Sequence, residues 1–380
     1  MKFVHLSRLF LPLSVVLICS GCFDSGGSGS DDLKTGRIHA HGISGLSYQT
    51  ASQAGTTDEQ GTFRYYPGET LSLKVGNLPI TEGVPAQEFV SFLEFQPELR
   101  EALQTPKVDS EQLKDHTLTE NSLLDNIELI NRTRFLMALN WTEIIEDDEG
   151  IDIRPRVIEQ LNAALSNPDL PDSLDFSNSA HFNVPPDAPD DYIPPAGRLL
   201  AAICFYEEGD QMCDEPPSQE EIDNAPIRPE NDDEADPDIS YQQDLKSLRD
   251  RIIQSIRKIE DVDEEQAKEY LQKELAGITN AISRKYYLSN HVASHSASDT
   301  SLKTINLKKV GGGIALPKNG VEAISTRPQE VAVHSWSWQE AEVEYFVDGD
   351  SGGESEIIIN FTPEDSYRWV RKSLRVRITD

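Results

Sequence analysis

The stretch GISGLSYQT (residues 42–50), resumed at GTTDEQGTFRYYPGETLSLKVGNL (residues 55–78), decides the fold class. Ile38, Ile43, Leu46, Tyr48, Phe63, Tyr65, Leu71, Leu73 and Val75 fall largely at alternate positions, the spacing of half-buried strands. Gly42, Gly45, Gly55, the run from Asp58 to Gly61, and Pro67-Gly68 separate these strands. Glycine supplies the positive φ that tight turns need. The Asp58 to Gly61 run is expected to turn the chain so that Phe63 and Tyr65 enter one face. Strand therefore covers Gly36 to about Ile80.

Outward from this module the period changes. Leu123, Ile127, Ile130, Arg134 and Leu136 to Leu139 recur at three and four, which predicts a helix over Leu123 to Leu139 capped by Asn121 or Ser122. A second helix is predicted from Arg154 to Leu165, with Pro155 in its first turn, where a missing N–H costs little. A short helix is predicted at Gly197 to Tyr206. Gln242 to Glu260 and Glu264 to Asn290 carry two apolar stripes, Leu245, Leu248, Ile252, Ile256, Ile259 and Leu271, Leu275, Ile278, Ile282, Tyr286. The Asp261-Val-Asp263 break between them suggests an antiparallel helical hairpin packed through these stripes. From Leu302 alternation returns at Val331/Val333, Val343/Tyr345/Val347, Ile357/Ile359/Phe361 and Leu374/Val376/Ile378, predicting an antiparallel sheet or small sandwich. The predicted class is α+β: an N-terminal small β-sandwich, a helical middle region and a C-terminal antiparallel β domain.

Two resemblances attach to these residues. The G-x-T-x-x-x-G-x-F-x-Y core, Gly55, Thr57, Gly61, Phe63 and Tyr65, resembles small carboxypeptidase-regulatory-like and adhesin-type β-sandwich modules of bacterial envelope proteins. That module, followed by a helix ending R-F-L-x-A-L (Arg134 to Leu139) and the acidic run from Glu146 into Gly150-Ile-Asp-Ile153, resembles a group of proteobacterial envelope lipoproteins. Members of that group carry adhesin-like and solvent-transport-like labels. The resemblance implies a location and an architecture, and no activity.

The N-terminus speaks to the same compartment. Lys2 and Arg8, then Leu9 to Ile18 with only Ser14 polar, then small residues, follow the order of a secretory signal peptide. The apolar run is shorter than the about 20 residues a spanning helix needs. Ser20-Gly21-Cys22 resembles the lipobox of bacterial lipoproteins, with Cys19 where that family usually has Leu. The resemblance implies cleavage before Cys22, acylation of Cys22, and attachment to the lipid bilayer through its acyl chains. Phe23 follows, where Asp is that family's usual inner-membrane retention signal, which implies the outer membrane; Asp24 comes one place later. Residues 23–32, FDSGGSGSDD, are a flexible tether.

The expected division is thus signal peptide 1–21, lipidated Cys22 and tether 22–34, β module 35–80, helical region 81–166, acidic Pro-rich insert 167–240, helical hairpin 241–295 and C-terminal β domain 296–380. In an oxidising envelope Cys204 and Cys213, the two cysteines left beyond the anchor, are expected to pair. Their spacing is not CxxC and no His lies nearby, which argues against a metal or catalytic thiol pair.

Formal net charge is −32 over 380 residues. Such a chain is a poor ligand for nucleic acid or for an anionic lipid surface, both of which need clustered Lys and Arg. Much of the excess lies between Glu207 and Asp238, where five prolines interrupt an acidic run. That composition cannot bury enough apolar area to offset ordering entropy and reads as a solvated loop.

Chemistry-bearing motifs are few. Asp348, Asp350, Gly352, Glu354 and Glu356 form a D-x-D-x-G-x-E-x-E run, of which Asp348, Asp350 and Glu354 are a calcium candidate, although the run lacks the spacing of an EF-hand loop. His39 and His41 are expected on one strand face, a zinc pair that lacks a third ligand. His334, Trp336 and Trp338 alternate and suit either a sugar-stacking platform or a core contact. The sequence has no G-x-S-x-G elbow, Walker loop, dinucleotide glycine fingerprint or HExxH, so it supports no catalytic residue and no cofactor. It points to a membrane-anchored envelope protein with a non-catalytic binding, adhesion-like or scaffolding role toward an envelope protein or glycan. Two rivals remain open. An accessory to lipid or solvent transport requires an apolar groove, and a hydrolase with a scattered site requires a deep pocket of convergent polar groups.

Overall fold

Gly61 shows how the first turn is made. Its φ is +67°, its N–H donates to Asp58 O, and Asp58 Oδ1 accepts from the N–H groups of Gln60 and Thr62. The chain turns here, and Phe63 and Tyr65 both enter the interior. The computed structural model describes residues 32–189, 191–229 and 236–380. The signal peptide, Cys22 and nearly all of the tether lie outside the described residues.

Strands β1 (Lys34–Ile38), β2 (Ile43–Ser44), β3 (Ser47–Gln49), β4 (Ala54–Thr56), β5 (Thr62–Tyr65), β6 (Thr70–Val75), β7 (Leu78–Pro85) and β8 (Phe89–Val90) build the N-terminal module. One sheet has the order β5-β1-β8 and the other β4-β3-β6-β7. The sheets face each other, with the Tyr48 and Phe63 rings 6.1 Å apart. The module runs past the expected boundary at Ile80. Val84 and Val90 remain buried, and β8 adds to the first sheet parallel to β1.

Helices α1 (Pro97–Leu103), α2 (His116–Leu123), α3 (Ile127–Ala138), α4 (Pro155–Leu165), α5 (Pro195–Ala201), α6 (Gln219–Asn224), α7 (Gln242–Ser255) and α8 (Glu264–Ser283) form the middle. The single helix expected over Leu123 to Leu139 is two. The chain turns after Leu123, and the cap of α3 is Asn126, whose Oδ1 accepts from Leu129 N–H. Helix α3 is buried almost all round, polar residues included. Arg134 therefore donates to Val262 O, Ile259 O and Asn183 Oδ1, and Arg257 binds the carbonyls of Ala138, Asn140 and Trp141 at the α3 C-terminus. A cation there satisfies carbonyls that the helix itself leaves open.

The expected hairpin of α7 and α8 is replaced by separate contacts. Helix α7 packs on α6, with Ile252 its one buried residue, whereas α8 packs on α3. The intervening segment, with Ile259 fully buried and Arg257 engaged at α3, directs the two helices to different neighbours. Tyr286, read as the end of a helical stripe, begins a strand instead.

Beyond α8 the strands β12 (Tyr286–Leu288), β13 (Val292–Ser296), β14 (Lys303–Lys309), β15 (Val321–Ser325), β16 (Val331–Ser337), β17 (Glu342–Val347), β18 (Glu354–Phe361) and β19 (Val370–Thr379) form two four-stranded sheets. Their orders are β12-β14-β17-β16 and β13-β19-β18-β15. Inward residues of both sheets share one apolar cluster, so this is a sandwich. It starts ahead of residue 296, and the β13–β19 pair is parallel where the pattern predicted antiparallel pairing throughout.

Helix α8 joins the two cores. Leu271 and Leu275 belong to the cluster shared with the N-terminal module, and Ile278 and Ile282 to the C-terminal one. Gly277 permits the approach: a Cβ there would lie 2.5 Å from Ala40 Cβ. Gly277→Val is therefore expected to lower stability by about 2–3 kcal/mol through overpacking, read as a shift in urea midpoint. A neutral result would show that α8 does not bear on residues 39–41.

Candidate functional site

Between the N-terminal module and the C-terminal sandwich lies a cleft, mainly polar in one part and more apolar in the other. One part has a volume of about 510 Å³ and the adjoining part about 770 Å³. Lys34, Tyr65, Gln87, Glu364, Asp365 and Ser366 line both. The N-terminal wall comes from β1, β5 and the β7–β8 connection. The other wall comes from β12, β14 and the loop between β18 and β19.

Beneath the cleft is a buried charge network. Arg368 is 1% exposed, Glu94 5% and Glu120 3%. Arg368 Nε lies 3.3 Å from Glu120 Oε1, Nη2 lies 3.4 Å from Ser91 Oγ and 3.9 Å from Glu94 Oε2, and the guanidinium sits over the Tyr367 ring. Tyr367 donates its hydroxyl to Glu120 Oε1 at 2.7 Å. Glu94 accepts from the Ser91 N–H and hydroxyl, and from Gln87. Burial raises the Glu120 carboxyl above its ordinary value, with Arg368 opposing that shift. Arg368, from the C-terminal part, is thus tied to Ser91, Glu94 and Glu120, all from the first third of the chain.

His116 extends the network. Trp369 N–H donates to its Nδ1 at 3.0 Å, so Nε2 carries the proton and donates to Thr279 Oγ1, which in turn donates to Leu275 O. Burial, aided by Arg368, pushes His116 down to about 3. Both ring nitrogens are engaged and the ring is neutral at pH 7.

A second cluster gathers on α8. Glu274, fully buried, accepts from Ala40 N–H at 2.7 Å and His41 N–H at 3.0 Å, and meets His41 Nδ1 at 2.6 Å and His39 Nδ1 at 3.8 Å. Phe92 N–H donates to His39 Nε2, and the His39 ring lies 4.0 Å from the Phe92 ring. Burial pushes His39 down to about 4; Glu274 opposes this and Arg368 adds to it. The Tyr270 hydroxyl is buried without a hydrogen-bond partner among the described residues, and burial holds its pKa well above the ordinary tyrosine value.

The expectation for His39 and His41 needs correcting in its geometry. Strand β1 ends at Ile38 and His39 takes φ +63°, so the alternate-face argument does not apply. The two rings nevertheless converge, on a carboxylate from α8 that no local pattern indicates. Among the described residues no group of three or more His, Cys, Asp and Glu is arranged to hold a metal ion.

The remaining candidates are dispersed. Asp348 and Asp350 are exposed, while Glu354 pairs with Arg375 at 2.6 Å, which holds its carboxyl below the ordinary range. The loop carrying them joins one sheet of the sandwich to the other. At β16 a bulge between Val333 and Ser335 breaks the alternation. His334 is exposed near Phe346, Trp336 is 49% exposed opposite the buried Val343, and Trp338 packs against the core, so the three share no flat platform. Cys204 and Cys213 form a disulfide with Cα atoms 5.5 Å apart.

No protein-family model matches the chain, and no curated protein matches it. Among solved structures the chain is similar to domains 4 and 5 of the S-layer protein SbsC, at 14% identity over 25% of this chain and 51% of that one, with TM-score 0.19. A structure of SbsC domains 1–6 gives the same identity, coverage of this chain and TM-score, over 12% of its own length. The chain spans about half or less of each. Among the described residues no helix is long and apolar enough to cross a membrane.

Proposed function

We propose that this protein is a non-catalytic binding protein of the bacterial cell envelope, held at the outer membrane by acyl chains on Cys22. The observation that carries the binding role is the cleft floored by the Arg368 network. Buried ion pairs fix two β units on either side of an open groove, the arrangement of a rigid presenting scaffold. His116 and His39 support the non-catalytic reading. His116 has both ring nitrogens engaged, and His39 is neutral and buried. Ser20-Gly21-Cys22 and the Cys204–Cys213 disulfide support the compartment.

Full-length protein produced in a Gram-negative host and fed radioactive palmitate is expected to take up label, to fractionate with the outer membrane, and to lose both properties as Cys22→Ser. Unlabelled wild-type protein would remove the anchor.

A further inference from the structure

We propose that the Cys204–Cys213 bridge is a thiol-exchange site: it bolts helices α6 and α7 to the core, and a protein dithiol that opens it releases those helices while the rest of the fold stands. The bridge spans two unlike settings. Cys204 lies between the buried Ile203 and Phe205, and its N–H donates to Gln160 Oε1 on α4. Cys213 ends a short turn, Gln211–Cys213, that buries no residue of its own and packs against α7. The turn owes its fixed place to the bridge.

Helices α6 and α7 have little apolar hold of their own. Ile222 is the one buried residue of α6 and Ile252 the one buried residue of α7, whereas α8 buries residues along its whole length. Tyr241, buried just ahead of α7, lies under Arg228 of the same unit. A helix in water owes most of its stability to burial, so α6 and α7 belong to the part of the molecule that opens first. Past α7 the chain is anchored again. Arg257 binds carbonyls at the end of α3 and lies 3.6 Å from the centre of the Phe205 ring, and Ile259 is fully buried. The pair is hinged at Arg257 and bolted at Cys213.

The surroundings of the two sulfurs give the exchange a direction. Arg156, from α4, donates from Nη2 to Cys213 Sγ at 3.6 Å and has no carboxylate partner among the described residues. Of the acids in the loop, Glu207 pairs with Arg154 and Asp210 caps Met212 N–H, while Glu208 and Asp214 are exposed. A cation at one sulfur stabilises the thiolate that leaves there. The thiolate of a dithiol therefore attacks Cys204 Sγ, forming a mixed disulfide and expelling Cys213 as a thiolate beside Arg156. The second thiol of the dithiol then displaces Cys204 and closes its own disulfide. Two electrons pass from the dithiol to the bridge, and its two protons pass to Cys204 and Cys213.

Amide hydrogen exchange on the full chain in detergent micelles, with and without dithiothreitol, tests this. Reduction is expected to proceed without denaturant and to speed exchange about tenfold or more in residues 219–224 and 242–255, while α8 and β18 stay protected. Oxidised glutathione is expected to restore the protection. The Cys204→Ser/Cys213→Ser double variant is expected to match the reduced wild type and to ignore dithiothreitol. Arg156→Gln is expected to slow reduction about threefold. Reduction that leaves α6 and α7 protected, that loosens α8 and β18 to the same extent, or that proceeds only in denaturant would overturn the inference, as would an Arg156→Gln rate equal to that of the wild type.

Discussion

Arg368→Met is expected to cost about 3–5 kcal/mol, the largest single-residue effect in the molecule. The substitution roughly preserves volume but leaves Glu94 and Glu120 buried beside each other without their cation. The loss comes mainly from that uncompensated charge, since a surface ion pair is worth about 0–1 kcal/mol. The reasoning fixes two further outcomes. Adding Glu94→Gln and Glu120→Gln to Arg368→Met is expected to recover most of the loss, because amide oxygens still accept from Ser91 and Tyr367 and no buried charge remains. Acidification is expected to narrow the gap between the single variant and the wild type, because the buried Glu120 carboxyl, whose pKa burial raises, costs less once protonated. Urea unfolding followed by far-ultraviolet circular dichroism reads all three. A cost under about 1 kcal/mol for Arg368→Met would mean that the network does not brace the two β units.

How much of this was legible in the sequence depended on the range of the interaction. Alternation from Leu71 to Val75 and from Ile357 to Phe361 reports burial on one face of a strand, which is local, and both runs are buried as expected. Pro155 marked the start of α4 for an equally local reason. The cap at Asn126 was missed because apolar residues keep helical spacing across the turn between α2 and α3. The bulge in β16 was missed because a one-residue insertion leaves no mark on residue type. The Glu274 cluster and the Arg368 network join segments more than 200 residues apart, and no periodicity encodes such a pairing. One local sign existed: Ser91-Phe-Leu-Glu94 has the spacing of a capping box, and the box is formed. That Glu94 also faces Arg368 becomes visible only once the chain has closed on itself.

The second large effect is a stability that falls steeply on mild acidification. His116 and His39 titrate at about 3 and about 4 in the folded protein, against 6.5 for the unfolded residue. Between those values and pH 6.5 the unfolded chain binds more protons, so stability rises with pH there and is fully present only above 6.5. Each histidine contributes a slope of about 1.4 kcal/mol per pH unit, or about 2 kcal/mol lost by pH 5. Together they remove about 4 kcal/mol, a large fraction of the 5–15 kcal/mol typical of a folded protein. The groups facing His116 are Arg368, Asp115, Arg371 and Glu120, the last 3.9 Å from Nε2, and those facing His39 are Glu274, Arg368 and His41. Asp115, Glu120 and Glu274 favour the protonated rings, and burial outweighs them. Carboxylates with lowered values, such as Glu354 and Asp299, respond mainly below this window, whereas the buried Glu120 carboxyl, whose pKa is raised, opposes the histidine slope as it protonates. His295, also lowered and half-buried, adds a smaller term of the same sign as His116 and His39. His116→Gln is expected to halve the slope while keeping an acceptor for Trp369 N–H and a donor for Thr279. Unfolding free energies that stay level from pH 7 to pH 5 in the wild type would show that neither ring is held neutral, and the tautomer chain from Trp369 through His116 to Thr279 would fall with them.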